Sequence, residues 1–195
     1  MSYNQIIILL GYIFWFFPVL KQKGTKYFSV FFIYSISDPL RIILYEFFGL
    51  MPLTYYPLTS MAVLFLLSSK NYKYFVASVG ISSLLILNLY KAPYTETLGA
   101  TAAVHLLITF VLSYQFFTRL KETGTANLFL GLFIIYEFIS VIKLITVFNL
   151  PFQVGVINRN LSTFFQFFFA ISFTFINIDT KNYSLKFLLK EETDT

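Results

Sequence analysis

The sequence predicts an all-α integral membrane protein with seven transmembrane helices, and three observations lead to this fold class. The chain of 195 residues is 57% hydrophobic and 12% charged, with a mean hydropathy of +0.74. Such a composition supplies too little polar surface to cover a water-soluble globule. The apolar residues also fall into runs long enough to cross a hydrocarbon core about 30 Å thick. Finally, the basic residues are concentrated in every second loop between these runs.

Seven apolar runs are predicted to form the membrane helices. Helices are expected because backbone polar groups cannot stay unpaired in lipid, and no run alternates in polarity as barrel strands do. The predicted spans are residues 3–20, 27–49, 53–69, 74–90, 98–118, 126–149 and 154–178. No basic segment precedes the first run and no small-residue cleavage site follows it, so a cleaved signal peptide is not expected.

The positions of the basic residues predict the orientation of the helices. Ten of the 14 Lys and Arg residues lie in alternate loops or in the C-terminal tail: Lys21, Lys23, Lys26, Lys70, Lys73, Arg119, Lys121, Lys181, Lys186 and Lys190. The opposite loops hold only Lys91. The positive-inside rule therefore puts the N-terminus outside and the C-terminus in the cytoplasm, as expected for a multi-pass protein of a bacterial plasma (inner) membrane. This alternation requires an odd number of spans.

Two short stretches predict that the chain contains a repeated unit. Residues 20–25 read LKQKGT and residues 120–125 read LKETGT, each in a cytoplasmic turn between two predicted spans. The helices that follow also match at an offset of 102, where Tyr34, Asp38 and Arg41 correspond to Tyr136, Ser140 and Lys143. The single membrane domain of residues 1–195 is therefore predicted to hold a first triple-helix unit at 1–69, a linker helix at 70–97, a second unit at 98–178 and a cytoplasmic tail at 179–195.

The layout of three helices, one linker helix and three helices resembles the SWEET and PQ-loop type of sugar and metabolite transporters over nearly the whole chain. The resemblance lies in architecture, because the Pro-Gln dipeptide is absent and only Pro18 and Pro39 of the first unit match the prolines of that family. It implies a transporter with its site between the two units, near the middle of the bilayer. The layout also resembles microbial rhodopsins, but the last span holds no Lys for a retinal Schiff base.

Polar residues at membrane depth are the candidate site residues, because ionisable groups in lipid are costly and usually face a bundle interior or a wet cavity. The predicted solute-binding residues are Tyr34, Asp38, Arg41, Tyr136, Ser140, Lys143 and Arg159. The three cations in this set are expected to line an outward vestibule in which Glu46 is the nearby acid, which favours an anionic solute. Two alternatives stay open. Arg159 and Glu46 could instead reach lipid headgroups, and the i,i+3 pair of Asp38 and Arg41 could only fix packing.

Two carboxylates are candidates for proton coupling. Asp38 and Glu137 both lie near the middle of predicted spans, and Glu137 points away from the face that carries Lys143. A carboxylate without a counter-ion in lipid is expected to hold a proton, which is the property that a coupling site needs. His105, the only histidine, is a candidate relay, with an ordinary interior residue as the alternative.

The sequence therefore favours a transporter of a small, anionic solute. A receptor or an accessory subunit that acts through a partner protein or a second copy is the alternative, and a membrane hydrolase using Asp38 and Glu137 is a lesser one. Other catalysis, a metal site and a cofactor are not expected, because the chain has no Cys and no histidine-based ligand set, and no Ser is predicted beside His105. Nucleic-acid binding is not implied, since topology explains the net charge of +5.

Overall fold

The apolar runs fold into six α-helices in the part of the chain that the structure describes. The computed structural model describes residues 3–49, 52–68, 94–149, 152–176 and 182–184, and side chains within 10–49, 55–68, 96–146 and 164–176. The helices are α1 (Tyr3–Lys21), α2 (Phe28–Phe48), α3 (Pro52–Ser68), α4 (Tyr94–Thr123), α5 (Leu128–Asn149) and α6 (Phe152–Phe175). Two short antiparallel strands, β1 (Thr125–Asn127) and β2 (Asn182–Ser184), pair with Thr125 opposite Ser184.

The all-α fold class is confirmed for these residues. Six of the predicted spans coincide with helices to within a few residues, except that α4 extends at both ends beyond the predicted 98–118. The predicted fourth span, 74–90, lies outside the described residues. The pairing of β1 with β2 was not predicted, because three-residue strands leave no periodic signal in the sequence.

Three of the helices are long and apolar enough to cross a membrane by length and composition, namely Phe28–Phe48, Glu96–Thr123 and Leu128–Thr146. Shorter apolar stretches lie in α1, α3 and α6. The outer faces carry large apolar side chains such as Phe110, Phe117 and Phe164, each more than 60% exposed. Large exposed apolar surfaces of this kind are expected where a protein contacts lipid or another apolar partner.

The six helices form a closed ring in chain order. Each helix packs against the next one along the chain, and α6 returns to pack against α1. Helices α2 and α5 lie on opposite sides of this ring and meet through their side chains. The interior of the ring, between α2 and α5, is therefore where residues of the two predicted units come together.

Aromatic side chains fill this interior, and they pair at the same offset as the sequence match. Three pairs separated by 102 residues are in contact: Tyr27 with Phe129, Phe31 with Phe133 and Tyr34 with Tyr136, with ring centroids 4.8, 5.6 and 5.8 Å apart. Edge-to-face and tilted contacts at such distances are favourable for aromatic rings. Equivalent positions of the two predicted units thus face each other across the ring.

The turns after α1 and α4 have the same backbone requirement. Gly24 and Gly124 occupy equivalent places in LKQKGT and LKETGT, and both have positive φ values, 88° and 64°. Glycine adopts this region without the strain that a side chain causes, which accounts for glycine at both positions.

Side-chain amides close the same end of the ring. Gln22 Nε2 donates to the carbonyl oxygen of Ile176, and Gln115 Nε2 donates to that of Leu67.

The aromatic interior predicts that Phe133→Ala destabilises the protein far more than Phe138→Ala. Both residues lie on α5, but Phe133 has no exposed surface whereas Phe138 is 51% exposed. The cavity that Phe133→Ala creates should lower the free energy of unfolding by roughly 3–5 kcal/mol. Thermal unfolding in one detergent checks this, and equal effects of the two substitutions would contradict the ring arrangement.

Candidate functional site

Two clusters of polar side chains lie inside the helical ring. The first, which we name the Glu137 cluster, consists of Tyr34, Ser60, His105 and Glu137, contributed by α2, α3, α4 and α5. The second, the Arg41 cluster, consists of Tyr12, Asp38, Arg41, Tyr56 and Lys143. Helices α2, α3 and α5 carry residues of both clusters, so a movement of one of these helices changes both clusters.

The Glu137 cluster is a continuous chain of hydrogen bonds around a fully buried carboxylate. Tyr34 Oη donates to Glu137 Oε1 over 2.5 Å, and His105 Nδ1 lies 2.6 Å from Glu137 Oε2. His105 Nε2 lies 3.0 Å from Ser60 Oγ. Glu137 has no exposed surface, and His105 keeps 12% of its side-chain surface exposed. Each of these hydrogen bonds joins a different pair of helices.

The cluster can exist in two protonation states without losing a hydrogen bond. With a neutral imidazole protonated on Nδ1, His105 donates to Glu137 and accepts from Ser60. With an added proton on Nε2, the imidazolium donates to both partners, and the Ser60 hydroxyl becomes the acceptor. The charge of the cluster then changes from −1 to zero. The arrangement can therefore take up and release one proton within an intact network.

Ser60, His105 and Glu137 are also linked in the order of the nucleophile, general base and acid of a serine hydrolase. In serine hydrolases the serine hydroxyl donates to one imidazole nitrogen, and the other nitrogen donates to a carboxylate. Our expectation that no Ser lies beside His105 was wrong, because Ser60 is 3.0 Å away. Ser60 and His105 are 45 residues apart on different helices, so no local spacing in the sequence could have indicated the contact.

The Arg41 cluster lies about one helical turn further along α2. The predicted i,i+3 ion pair is confirmed, with Arg41 Nε 3.9 Å from Asp38 Oδ1. Arg41 Nη1 donates to Tyr56 Oη over 2.7 Å, and that hydroxyl donates to Asp38 over 3.4 Å. The guanidinium also lies over the Tyr56 ring, 5.5 Å from its centroid, and interacts with Tyr12 of α1. Both ends of the ion pair are about one-third exposed, so the cluster is accessible.

Lys143 of α5 completes the cluster from the opposite side of the ring. Its ammonium lies within range of the charges of both Asp38 and Arg41. Among the described side chains it has no hydrogen bond and no ion pair, whereas Arg41 has both. One acid and two bases give the Arg41 cluster a net charge of +1. An excess positive charge in an accessible cluster favours an anion.

The remaining predicted site residues have other surroundings. Tyr136 belongs to the aromatic interior, where it packs 5.3 Å from Trp15. Ser140 donates to the backbone carbonyl oxygen of its own helix at Tyr136. Arg159 lies on α6, but its side chain is outside the described part, so its place in a vestibule stays a prediction. Glu46 is exposed near the end of α2.

The two carboxylates proposed for a hydrolase belong to different clusters. Asp38 is bound by Arg41 and Tyr56, whereas Glu137 is bound by Tyr34 and His105. They therefore have different hydrogen-bond partners. Within the described ranges, no group of three or more His, Asp or Glu side chains is placed to hold a metal ion.

The chain matches no protein-family model, no curated protein and no solved structure. Inferences about function therefore depend on the geometry of the two clusters.

The Glu137 cluster predicts a large loss of stability on Glu137→Ala. The substitution leaves the Tyr34 hydroxyl and His105 Nδ1 without their acceptor in the ring interior. The expected loss is roughly 2–4 kcal/mol of unfolding free energy. Glu137→Gln should cost less, because its amide oxygen can still accept one hydrogen bond.

The matched control is Glu122→Ala, since Glu122 is exposed at the end of α4 and should change stability little. Thermal unfolding of the three variants in the same detergent gives the comparison. A Glu137→Ala protein as stable as the Glu122→Ala protein would show that the hydrogen-bond chain does not hold the helices together.

Proposed function

We propose that the chain is a small membrane transporter that binds an organic monoanion at the Arg41 cluster. The observation that carries this proposal is the Lys143 ammonium, which lies in the ring interior without a hydrogen bond or ion pair to any described side chain. A cation in such a place is costly unless a partner neutralises it. A bound carboxylate provides that partner.

The charge and shape of the Arg41 cluster favour one class of solute. Asp38 neutralises one of the two cations, so one negative charge on the solute balances the other. Tyr12 and Tyr56 add aromatic faces and hydroxyl groups beside the guanidinium. A small organic acid with one carboxylate matches this combination better than a dianion or a neutral sugar.

We also propose seven transmembrane helices with the N-terminus outside, arranged as two triple-helix units around a linker helix. The three contacting aromatic pairs at an offset of 102 support the internal repeat. The positive glycine φ values in both LKxxGT turns support it further. This arrangement is similar to the layout of SWEET and PQ-loop transporters, where a site lies between parallel units.

Anion binding is expected to raise the thermal stability of the purified protein in nanodiscs. A ligand that binds only the folded state raises the stability of that state. Because one negative charge balances the Arg41 cluster, acetate and benzoate should give a larger rise than succinate, inorganic phosphate or glucose. Lys143→Met should weaken binding by roughly 30-fold or more, since it removes the balancing charge.

Lys121→Met is the matched control, because Lys121 is exposed at the end of α4 and should leave binding unchanged. If no anion stabilises the native protein, or if both substitutions act alike, the proposed site is wrong. Uptake of labelled benzenesulfonate, which stays ionised and does not cross a bilayer as a neutral acid, into proteoliposomes then separates a transporter from a receptor or accessory subunit. A receptor would bind the anion without moving it.

The proposed topology predicts which side of the membrane each exposed loop residue faces. Because the sequence has no Cys, single cysteines can be introduced at exposed Lys23, Glu96 and Glu122 without further changes. A membrane-impermeant maleimide added to intact cells should label Glu96→Cys alone, whereas all three should react after lysis. Labelling of Glu122→Cys in intact cells would contradict the assigned orientation.

A further inference from the structure

Summed over both clusters, the ring interior has no net charge before a solute binds, although the Arg41 cluster alone carries +1. Between its two ends, the described interior holds four charged side chains, Asp38, Arg41, Glu137 and Lys143. Two are acids and two are bases, so the net charge is zero when His105 is neutral. A bound monoanion adds one negative charge that these residues do not balance. Uncompensated charge is expensive in an apolar bundle.

The Glu137 cluster can supply the missing positive charge. One added proton converts His105 to an imidazolium that donates to Glu137 and to Ser60, and no hydrogen bond is lost. The only change in the network is that the Ser60 hydroxyl turns from donor to acceptor. Proton uptake therefore requires no rearrangement of the helices.

The surroundings of Glu137 limit the groups that can take up this proton. The titratable groups that face the carboxylate are Tyr34 from α2, His105 from α4 and Tyr136 from α5 itself. Ser60 of α3 faces the imidazole, and the Trp15 ring of α1 packs against both tyrosines. No other described acid or base contacts the cluster. The carboxylate and imidazole pair is thus the proton-binding unit.

Both clusters depend on the positions of shared helices, among them α2 and α5. Tyr34 and Asp38 are about one turn apart on α2, and Glu137 and Lys143 are less than two turns apart on α5. A shift of α5 against α2 that accommodates an anion beside Lys143 also changes the contact between Glu137 and Tyr34. The two sites are therefore coupled through charge and through shared helices.

We propose that the anion and one proton bind together, so that transport is an electroneutral symport of one proton with one monoanion. This inference rests on the proposed function and assigns its coupling site to Glu137 and His105. The proton enters the His105 and Glu137 pair, and the anion lies between Arg41 and Lys143. The loaded interior then has the same net charge as the empty one.

The first experiment measures binding of acetate and benzoate to the native protein in nanodiscs between pH 5.5 and 8.5. Affinity should fall by up to about tenfold for each unit of pH above the protonation range, because proton and anion binding are reciprocally linked. Benzenesulfonate, which stays a monoanion throughout, should show the same slope and so exclude titration of the ligand. Calorimetry in buffers of different ionisation enthalpy should show the uptake of one proton per anion.

Glu137→Gln should bind the anion with an affinity that no longer depends on pH. Ser172→Ala is the matched control, because Ser172 donates only to its own helix backbone and should keep the native slope. In proteoliposomes, uptake of benzenesulfonate above that of protein-free liposomes should be unchanged when a potassium diffusion potential of either sign is imposed. A proton gradient directed inward, with the outside more acidic, should instead drive it.

The outcomes separate this inference from the function on which it rests. Anion binding without pH dependence or proton uptake overturns the symport and leaves the anion site intact. A pH slope that survives in Glu137→Gln overturns the assignment of the coupling site. Labelling of Ser60 by a fluorophosphonate, lost in Ser60→Ala and His105→Ala, assigns the cluster to acyl chemistry and also overturns it. Absence of anion binding at every pH overturns the proposed function and the symport together.

Discussion

A carboxylate with no exposed surface must obtain its hydrogen bonds from the protein, and Glu137 obtains them from two other helices. Tyr34 binds one of its oxygens and His105 binds the other, while Ser60 extends the chain to a fourth helix. Because the cost of leaving any of these groups unpaired is high, this network fixes α2, α3, α4 and α5 relative to one another. An apolar interface without such hydrogen bonds restricts the relative position of two helices far less.

The aromatic interior sets the distance over which that network can form. Tilted and edge-to-face rings separate α2 from α5 between Tyr27 and Tyr34, as the Phe31 and Phe133 pair illustrates. Beyond the last pair, Tyr34 and Tyr136, the aromatic filling ends and polar side chains take its place. The polar side chains therefore lie in one part of the helical ring. The aromatic side chains separate them from the end that Gln22 and Gln115 close.

Much of the fold was predictable because it depends on local properties of the chain. Length and hydropathy are enough to find a membrane-length helix, and the i,i+3 spacing is enough to pair Asp38 with Arg41. The contacts of the Glu137 cluster were not predictable. Ser60 lies in an apolar run in which a small polar residue carries no periodic signal, and its partner His105 lies on a helix that follows the undescribed segment. The sequence also gave no reason to place Tyr56 beside Arg41, because they belong to different helices.

The two predicted units keep the same aromatic positions but exchange their acids. At the offset of 102, Ser35 and Asp38 of α2 correspond to Glu137 and Ser140 of α5. Each level of the interior therefore holds one carboxylate and one serine, in opposite order on the two helices. Ser35 is buried and donates to its own helix backbone, as Ser140 does, so neither serine needs a partner across the ring.

This exchange gives the two carboxylates different environments. Acids at positions 35 and 137 would bring two negative charges to one level of the ring interior, and acids at positions 38 and 140 would neutralise Arg41 and Lys143 completely. With one acid at each level, the Glu137 carboxylate has only hydrogen-bond donors around it, and the level of Arg41 and Lys143 retains one unbalanced cation. In the proposed repeat, the exchange of these four side chains separates the Glu137 cluster, which we propose to bind the proton, from the Arg41 cluster, which we propose to bind the anion.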